Sequence, residues 1–390
     1  MHDMLTKVDN FILYYFIGTV VFYTLLLLGA YFSIVNFFKR DKFADLPDLL
    51  DSKALPPVTI ILPIYNEQEN IINALESALN STYTNLFVIG VNDGSTDNTL
   101  NLLKEHYNLY EVPAIIEQQI PTPDIKSVYV SKTNANLMIV DKLSNTGAGD
   151  ALNIGINACF TPYFFTADAD SLIGPSEVTE LVYEAMTNES AIVVSGGVYI
   201  LNGCKYNNGI MLEPLLSHKL VPALQTLEYI RSHLFSRTGW NIFGGTMSYS
   251  GTATLFDKKA VVTVGGFDTH NFAQDAEIIM KLHAYMRKNK IQYQIIFNPA
   301  ATVWTDVPDS FSSFARQRDH WRRSLLRSVL RYWYMFINLV TFNRYKRISD
   351  IFRIFILAVI ETFGFRQYTV LISLFGTFHY FFNRLRGKPI

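Results

Sequence analysis

Short apolar segments alternate with segments of helical periodicity from Val58 onward, and this alternation constrains the fold more than any other feature. Strands are predicted at residues 58–63, 86–91, 136–140 and 163–167, with helices near 68–80, 97–107 and 149–159. The pattern predicts βαβ units and an α/β fold whose mainly parallel sheet carries helices on both faces. Residues 108–126 contain three prolines and no clear period, which predicts a long loop or an insertion.

Polar, turn-forming residues follow each of the four predicted strands. The segments are "PIYNEQEN", "NDGSTDNT", "SNTGAGDALN" and "DADS". Ligands of such sheets bind at the carboxyl ends of the strands. Four polar ends on one edge therefore predict a site for a polar ligand linked to a metal ion.

Asp168 and Asp170 follow the fourth strand, one residue apart. Two carboxylates at this spacing can hold one Mg²⁺ or Mn²⁺ ion, which also binds substrate phosphates. Such a cation would stabilise the charge on a departing diphosphate. In the alternative interpretation, Asp168 ends the strand and Asp170 caps the turn that follows.

A second acidic pair, Asp275 and Glu277, opens the amphipathic segment "QDAEIIMKL". The helix dipole favours acids in a first turn, so the pair need not be functional. The functional alternative is a general base that takes the proton from an attacking hydroxyl group.

The N-terminal segment is predicted to cross a membrane. Residues 11–38 contain no charged side chain, and as a helix they would extend about 42 Å, whereas a bilayer core needs roughly 20 residues. The segment is too long for a cleaved signal peptide. Lys39, Arg40 and Lys42 follow it, which predicts that the next segment lies in the cytoplasm, as it would in an inner-membrane protein whose main domain is cytosolic.

Two bulk properties narrow the possible partners and compartments. The 390 residues carry a formal net charge of −1, which argues against a nucleic-acid partner. Cys159 and Cys204 are the only cysteines, which fits a reducing compartment and excludes a disulfide framework.

The segment "FARQRDHWRRSLLRSVLRYWYMF" (314–336) is amphipathic as a helix. Aromatic and apolar residues fall on one stripe, and arginines fall on the opposite face: Trp321, Leu325, Val329, Tyr332 and Phe336, against Arg316, Arg323, Arg327 and Arg331. This pattern predicts a helix in the membrane interface, which adds the lipid bilayer as a partner. A nucleic-acid patch and a solvated face are the alternatives.

Five segments are expected along the chain. They are a transmembrane helix over 1–40, a linker over 41–56, a catalytic domain over 57–308, interfacial helices over 309–347 and a membrane hairpin over 348–390. Charged residues interrupt the last segment, so two interfacial helices are the alternative to the hairpin.

Nine motifs in order resemble the family 2 glycosyltransferases, specifically the membrane-embedded poly-N-acetylglucosamine, hyaluronan and cellulose synthases. The motifs are "PIYNE", "NDGSTD", "NTGAGDALN", "DADS", "SGTATLF", "VGGFD", "QDAE", "TDVP" and "QRDHW". The resemblance covers roughly residues 56–330. It implies a GT-A fold and transfer from a nucleotide-sugar, by default a UDP-sugar, with inversion at the sugar carbon.

The resemblance also implies roles for individual residues. Tyr65, Glu67 and Asp93 would hold the base and ribose, and Asp168 and Asp170 would hold the metal and diphosphate. Asp275 would be the catalytic base. The donor would also contact Gln317 and Arg318, and the acceptor sugar would contact Trp321 and Gly251.

Two positions depart from the family pattern. Ala148 stands where the family usually has a lysine, and His320 stands where it usually has an arginine. We expect Arg316, Arg323 or Lys142 to compensate for a lost contact with the diphosphate.

The expected function is extension of a β-linked glycan. Alternatives are addition of one sugar to a lipid-linked acceptor, and a catalytically weak assembly subunit. One span and an interrupted hairpin are few helices to enclose a polymer path. We therefore expect a homo-oligomer, a membrane partner subunit, or a short product that is not exported.

Overall fold

The computed structural model describes residues 2–41, 55–241, 244–271 and 273–337. The predicted hairpin over 348–390 and most of the predicted linker lie outside these residues. The described part divides into two compact units, residues 2–26 with 334–337, and residues 27–333.

The predicted N-terminal helix forms as α1, His2–Asp41. Its segment Leu13–Val35 has a mean hydropathy of 1.9 and is long and apolar enough to cross a bilayer. Among the described residues, no second helix meets that criterion.

The other helices are shorter. They are α2 (Ile71–Leu79), α3 (Thr99–His106), α4 (Ala148–Ala158), α5 (Glu177–Thr187), α6 (Leu220–Ile230), α7 (Thr238–Trp240), α8 (Lys258–Thr263), α9 (Gln274–Lys288), α10 (Phe311–Arg331) and α11 (Tyr334–Ile337). A π-helical segment, Arg231–Arg237, connects α6 to α7.

Twelve strands form in the described residues. They are β1 (Val58–Ile64), β2 (Leu86–Asn92), β3 (Leu109–Val112), β4 (Ile125–Ser131), β5 (Leu137–Lys142), β6 (Tyr163–Thr166), β7 (Leu172–Ile173), β8 (Ala191–Ile200), β9 (Lys205–Asn207), β10 (Ile210–Glu213), β11 (Thr254–Asp257) and β12 (Gln294–Thr305). Ten of them make one sheet in the order β3-β4-β5-β2-β1-β6-β11-β8-β12-β7, and β9 pairs with β10.

The sheet is mixed around a parallel core. Strands β5, β2, β1 and β6 are parallel neighbours, as the alternation predicted. Strand β11 is antiparallel to both β6 and β8, whereas β12 is parallel to β8. The carboxyl ends of β6 and β12 therefore lie at the same edge as the start of β11.

The prediction of a loop over 108–126 is wrong in part. Strand β3 forms at its start and pairs antiparallel with β4, with Leu109 opposite Ser131 and Val112 opposite Val128. The four residues of β3 are too few for a periodic signal, and pairing with the sheet edge determines their conformation.

Helices cover both faces of the sheet, as predicted. Ile60 and Leu62 of β1 belong to a core on one face with Leu75 of α2. Ile61 belongs to the core on the other face with Leu152 of α4. Burial on both faces explains why β1 is a continuous apolar run rather than an alternating one.

Candidate active site

One pocket at the carboxyl edge of the sheet brings Asp168 and Asp275 together. Asp168 follows β6, and Asp275 lies in the first turn of α9. The remaining walls come from β1, the end of β6, α4, β11 and α9, and from the segments before β11 and α9. They are Pro63, Leu152, Thr166, Ala167, Tyr249, Ser250, Gly251, Thr254, Phe256, Phe267, Gln274 and Ile279.

Two backbone amides hold the Asp275 carboxylate. The Gly251 N–H donates to Oδ2 over 3.1 Å, and the Ala276 N–H donates to Oδ1 over 2.8 Å. Burial raises the pKa of Asp275, although these hydrogen bonds and the nearby Arg237 oppose the rise. The result is an oriented carboxylate with greater basicity than an exposed aspartate has.

Asp168 lies among other carboxylates. Its side chain lines the pocket and remains accessible to water. Burial, followed by the charges of Asp170, Asp275 and Glu67, raises the pKa of Asp168 to about 7. Such crowding of negative charge favours a bound cation.

Asp170 and Asp306 extend this acidic group. Asp170 accepts hydrogen bonds from the hydroxyls of Ser171 at 3.3 Å and Thr305 at 3.4 Å. Burial raises the pKa of Asp306, and the charge of Asp170 adds to the rise. Asp306, from the "TDVP" motif at the end of β12, was not among the predicted site residues although that motif pointed to it.

Asp168 and Asp170 fit a metal that bridges to substrate. Within the described ranges, no three His, Cys, Asp or Glu side chains are grouped as a complete metal-binding set. Mg²⁺ and similar cations are commonly held by one or two carboxylates together with water and substrate phosphates. The pKa values of Asp168 and Asp170 are both raised, and two such neighbouring carboxylates suit that type of binding.

The loops after β1 and β2 are joined by hydrogen bonds, close to Asp168 and Asp170. Asn66 adopts a left-handed φ of 56°, and its side-chain oxygen accepts from the Thr96 N–H at 2.8 Å. Burial raises the pKa of Glu67, which also accepts a hydrogen bond from Asn70 at 3.3 Å. Tyr65 is 45% exposed at the end of β1, where a ligand could contact its ring.

Asp93 is buried and already bound by the protein. Its carboxylate accepts from the Lys142 ammonium, from the Thr146 N–H at 3.1 Å and from the Gly147 N–H at 2.9 Å. The Lys142 side chain is fully buried and also donates to the Thr146 hydroxyl at 2.6 Å. The pair therefore fixes the loop after β5 against the end of β2.

Helix α10 carries Gln317, Arg318 and Trp321. Arg318 makes a two-point ion pair with Glu228 of α6, at 3.0 and 2.9 Å, and its guanidinium carbon lies 4.7 Å from the Trp321 ring centroid. Arg318 thus joins α10 to α6, which does not favour its predicted contact with the donor. Trp321 is 41% exposed, and the side-chain oxygen of Gln317 is buried without a partner among the described residues.

The far end of α10 differs from the predicted amphipathic pattern. Arg327 donates to the His270 carbonyl at 2.8 Å, and Arg331 pairs with Asp268. Tyr332 is buried and donates to Glu277, which therefore lies under α10 rather than in the pocket. Part of the basic face therefore contacts the segment before α9, and Tyr332 does not belong to an exposed aromatic stripe.

The three predicted substitute cations have partners elsewhere. Lys142 pairs with Asp93, Arg323 with Asp319, and Arg316 donates to the Ser312 hydroxyl at 3.2 Å. A cation that sequence reasoning missed, Arg237, lies close enough to Asp275 to affect its pKa. No local sequence signal marked Arg237, because its position depends on the π-helical segment.

Comparisons with known proteins identify the family of this chain. Residues 163–383 match the family described as "Glycosyl transferase family group 2", and residues 59–121 match "Glycosyl transferase family 2". The first match alone covers more than half of the chain.

Two curated relatives are poly-β-1,6-N-acetyl-D-glucosamine synthases. The one from Staphylococcus epidermidis is 26% identical over 329 residues, covering 84% of this chain and 68% of the relative. One from Staphylococcus aureus is 26% identical over 312 residues, covering 80% and 64%. The chain thus matches about two thirds of the length of these relatives.

A solved mannosyltransferase from Pyrobaculum calidifontis, in complex with GDP-Man and Mn²⁺, has a similar fold. The TM-score is 0.52 at 15% sequence identity, with 92% of this chain and 91% of that chain covered. At this identity the likeness bears on the fold alone.

Proposed function

The chain belongs to glycosyl transferase family group 2, and on that premise we propose that it is a membrane-bound, metal-dependent, inverting glycosyltransferase that extends a β-linked glycan. The observation that carries the proposal is the shared pocket of Asp168 and Asp275. A metal-binding acid and a separate base in one cavity are what displacement of a diphosphate by a hydroxyl group requires.

Asp275 acts as the general base. The acceptor hydroxyl oxygen forms a bond to the sugar carbon while the bond from that carbon to the diphosphate oxygen breaks. The hydroxyl proton passes to Asp275, whose carboxylate the Gly251 and Ala276 amides hold in place. The nucleoside diphosphate leaves on the opposite side of the sugar carbon, which inverts its configuration.

Asp168 and Asp170 would hold a cation, Mg²⁺ or Mn²⁺, and that cation would neutralise the charge on the leaving diphosphate. Glu67 and Tyr65 lie at the neighbouring strand end, where the nucleotide would bind. We take a UDP-sugar as the donor. Trp321 supplies an exposed ring on which the apolar face of an acceptor sugar can stack, and Gly251 leaves room for that sugar next to Asp275.

Exposed apolar rows support binding to the bilayer. Leu220, Leu224 and Leu227 recur at helical spacing on α6 and are 63%, 52% and 67% exposed. Helix α1 contributes a segment able to span the membrane. We place the protein at the cytoplasmic membrane with its catalytic unit in the cytosol.

The names of the relatives favour polymer synthesis over single transfer. The acceptor is then a growing glycan, and export would need a second copy or a membrane partner subunit. Transfer of one sugar to a lipid-linked acceptor is the second candidate, and the lengths of the products distinguish the two.

Purified full-length protein in detergent tests the proposal. Nucleotide-sugars are first screened for thermal stabilisation in the presence of Mn²⁺, and labelled donor is then followed into product. We expect a ladder of product lengths that chelation abolishes; products with one added sugar would select the second candidate. Asp275→Asn should lose turnover, and full activity in that variant would contradict the assigned base. A protein without any donor turnover would instead be an assembly subunit.

A further inference from the structure

Arg237 ends the π-helical segment Arg231–Arg237 and lies near two residues of the pocket, Tyr249 and Asp275. Its guanidinium carbon lies 6.0 Å from the ring centroid of Tyr249. Tyr249 and Asp275 both line the pocket. Turns of π-helix are rare and frequently occur at functional sites, where they direct a side chain that a regular helix would point elsewhere.

The Nη1 atom of Arg237 is buried and has no hydrogen-bond partner among the described residues. Buried donors are nearly always paired in native proteins, since an unpaired one loses its water without replacement. Next to a pocket, the simplest partner for such a donor is an oxygen atom of the bound ligand.

The charges around the pocket indicate what kind of oxygen this is. Asp168 and Asp275 line the pocket, and Asp170 adds to the negative charge near Asp168. An anionic ligand therefore needs cationic contacts from the protein as well as from the metal. Lys142 and Arg318 are engaged by Asp93 and Glu228, whereas the Arg237 guanidinium lies close enough to Asp275 to oppose its raised pKa.

We propose that Arg237 binds the diphosphate of the nucleotide-sugar donor, an inference that rests on the proposed function. A guanidinium presents two parallel N–H groups that match two phosphate oxygens, so it suits this ligand better than a neutral hydroxyl. The contact persists as charge develops on the leaving diphosphate, so Arg237 contributes to both donor binding and turnover.

Binding measurements on the full-length protein with Mn²⁺ test this role. UDP and GDP are titrated calorimetrically, and uridine and guanosine are measured by competition against the tighter of the two diphosphates. We expect Arg237→Gln to weaken binding of that diphosphate at least 10-fold while the affinity for its nucleoside stays unchanged. Arg231→Gln, an exposed arginine on the same segment, is the matched control and should match the wild type.

Equal diphosphate affinity in wild type and Arg237→Gln would overturn the inference. An equal loss for diphosphate and nucleoside would also overturn it, because the contact would then be to the base or ribose. If Arg237→Gln does not fold, Arg237→Lys gives the decision: a lower ratio of diphosphate to nucleoside affinity supports the role, and an unchanged ratio refutes it. A wild-type protein that binds neither diphosphate would overturn the proposed function itself.

Discussion

The backbone N–H of Gly251 donates to the carboxylate of Asp275 across 3.1 Å, which joins two segments that are 24 residues apart in sequence. One segment leads into the antiparallel strand β11, and the other begins helix α9. In the proposed mechanism, this hydrogen bond holds the general base next to the acceptor site. A substitution at Gly251 should therefore affect acceptor binding, whereas one at Asp275 should affect turnover.

Gly251→Ala should mainly affect the acceptor. An added Cβ atom would lie 3.4 Å from the Asp275 Cβ and 3.7 Å from its Oδ2, which is ordinary contact and leaves the base in place. It would nevertheless occupy space in the pocket, and one methyl group in a fitted pocket changes discrimination by roughly 10-fold or more. We expect a raised KM for the acceptor with donor affinity unchanged, measured by steady-state kinetics. A loss confined to kcat would show that the base had moved.

Gly94→Ala should disturb the donor side of the site. Gly94 has a φ of +65°, and a Cβ there would lie 2.7 Å from the Asn145 backbone nitrogen, where the loops after β2 and β5 meet. Gly265→Ala is the matched control, since its φ is +82° but no atom lies within 4 Å of the added Cβ. Both variants carry the strain of a positive φ, about 1 kcal/mol. We expect a lower melting temperature and weaker nucleotide binding for Gly94→Ala than for Gly265→Ala; equal values would contradict the close packing of the two loops.

Lys142→Met should reduce stability more than a surface charge deletion does. The Lys142 and Asp93 side chains are 0% and 4% exposed, and removal of the ammonium leaves a buried carboxylate without its counter-ion. Breaking such a pair costs about 3–5 kcal/mol. Lys205→Met, which breaks the exposed pair with Glu213, should cost about 0–1 kcal/mol.

Thermal melts of both variants provide the measurement. A second change in the Lys142→Met variant, Asp93→Asn, removes the buried carboxylate that has lost its counter-ion, and it should restore part of the lost stability. If Lys142→Met melts like Lys205→Met, the buried pair does not stabilise the fold.

His283 should make stability depend on pH. Its Nδ1 lies 2.6 Å from the Tyr293 hydroxyl and its Nε2 lies 3.3 Å from the Thr246 carbonyl, contacts that suit the neutral ring. Burial lowers the pKa of His283 from 6.5 to about 3, with the charge of Arg287 adding to the decrease. The unfolded chain therefore binds a proton that the folded protein does not, between about pH 6.5 and pH 3. Across that window the contribution of His283 to the free energy of unfolding falls by about 1.4 kcal/mol per pH unit, and above pH 6.5 it is fully present.

Melting temperatures at pH 5.5 and pH 8 check this expectation. The decrease on acidification should be smaller for His283→Gln than for the wild type, because glutamine can both donate and accept but does not titrate. His218→Gln changes an exposed histidine, and the difference between its melting temperatures at the two pH values should equal that of the wild type. An unchanged pH difference in His283→Gln would contradict the proton linkage.

The sequence by itself determined the strands of the parallel core, the helices between them and the polar ends that meet at one edge. Apolar runs such as β1 are predictable because a strand in the centre of the sheet is buried on both faces. The polar turns after the strands, such as the one with Asp168, are predictable because turn formation depends on neighbouring residues in sequence. The family resemblance added the ligands expected at that edge, and the matched family confirms the resemblance.

The tertiary structure alone decided which charges face the pocket. Lys142, Arg318 and Glu277 all lie in or beside recognisable motifs, yet each is engaged by a residue far away in sequence: Asp93, Glu228 and Tyr332. Arg237 carries no motif and still lies near Asp275. Local pattern determines whether a segment is helix or strand, but the neighbour of a long charged side chain depends on how distant elements pack, and no periodicity in the sequence encodes that.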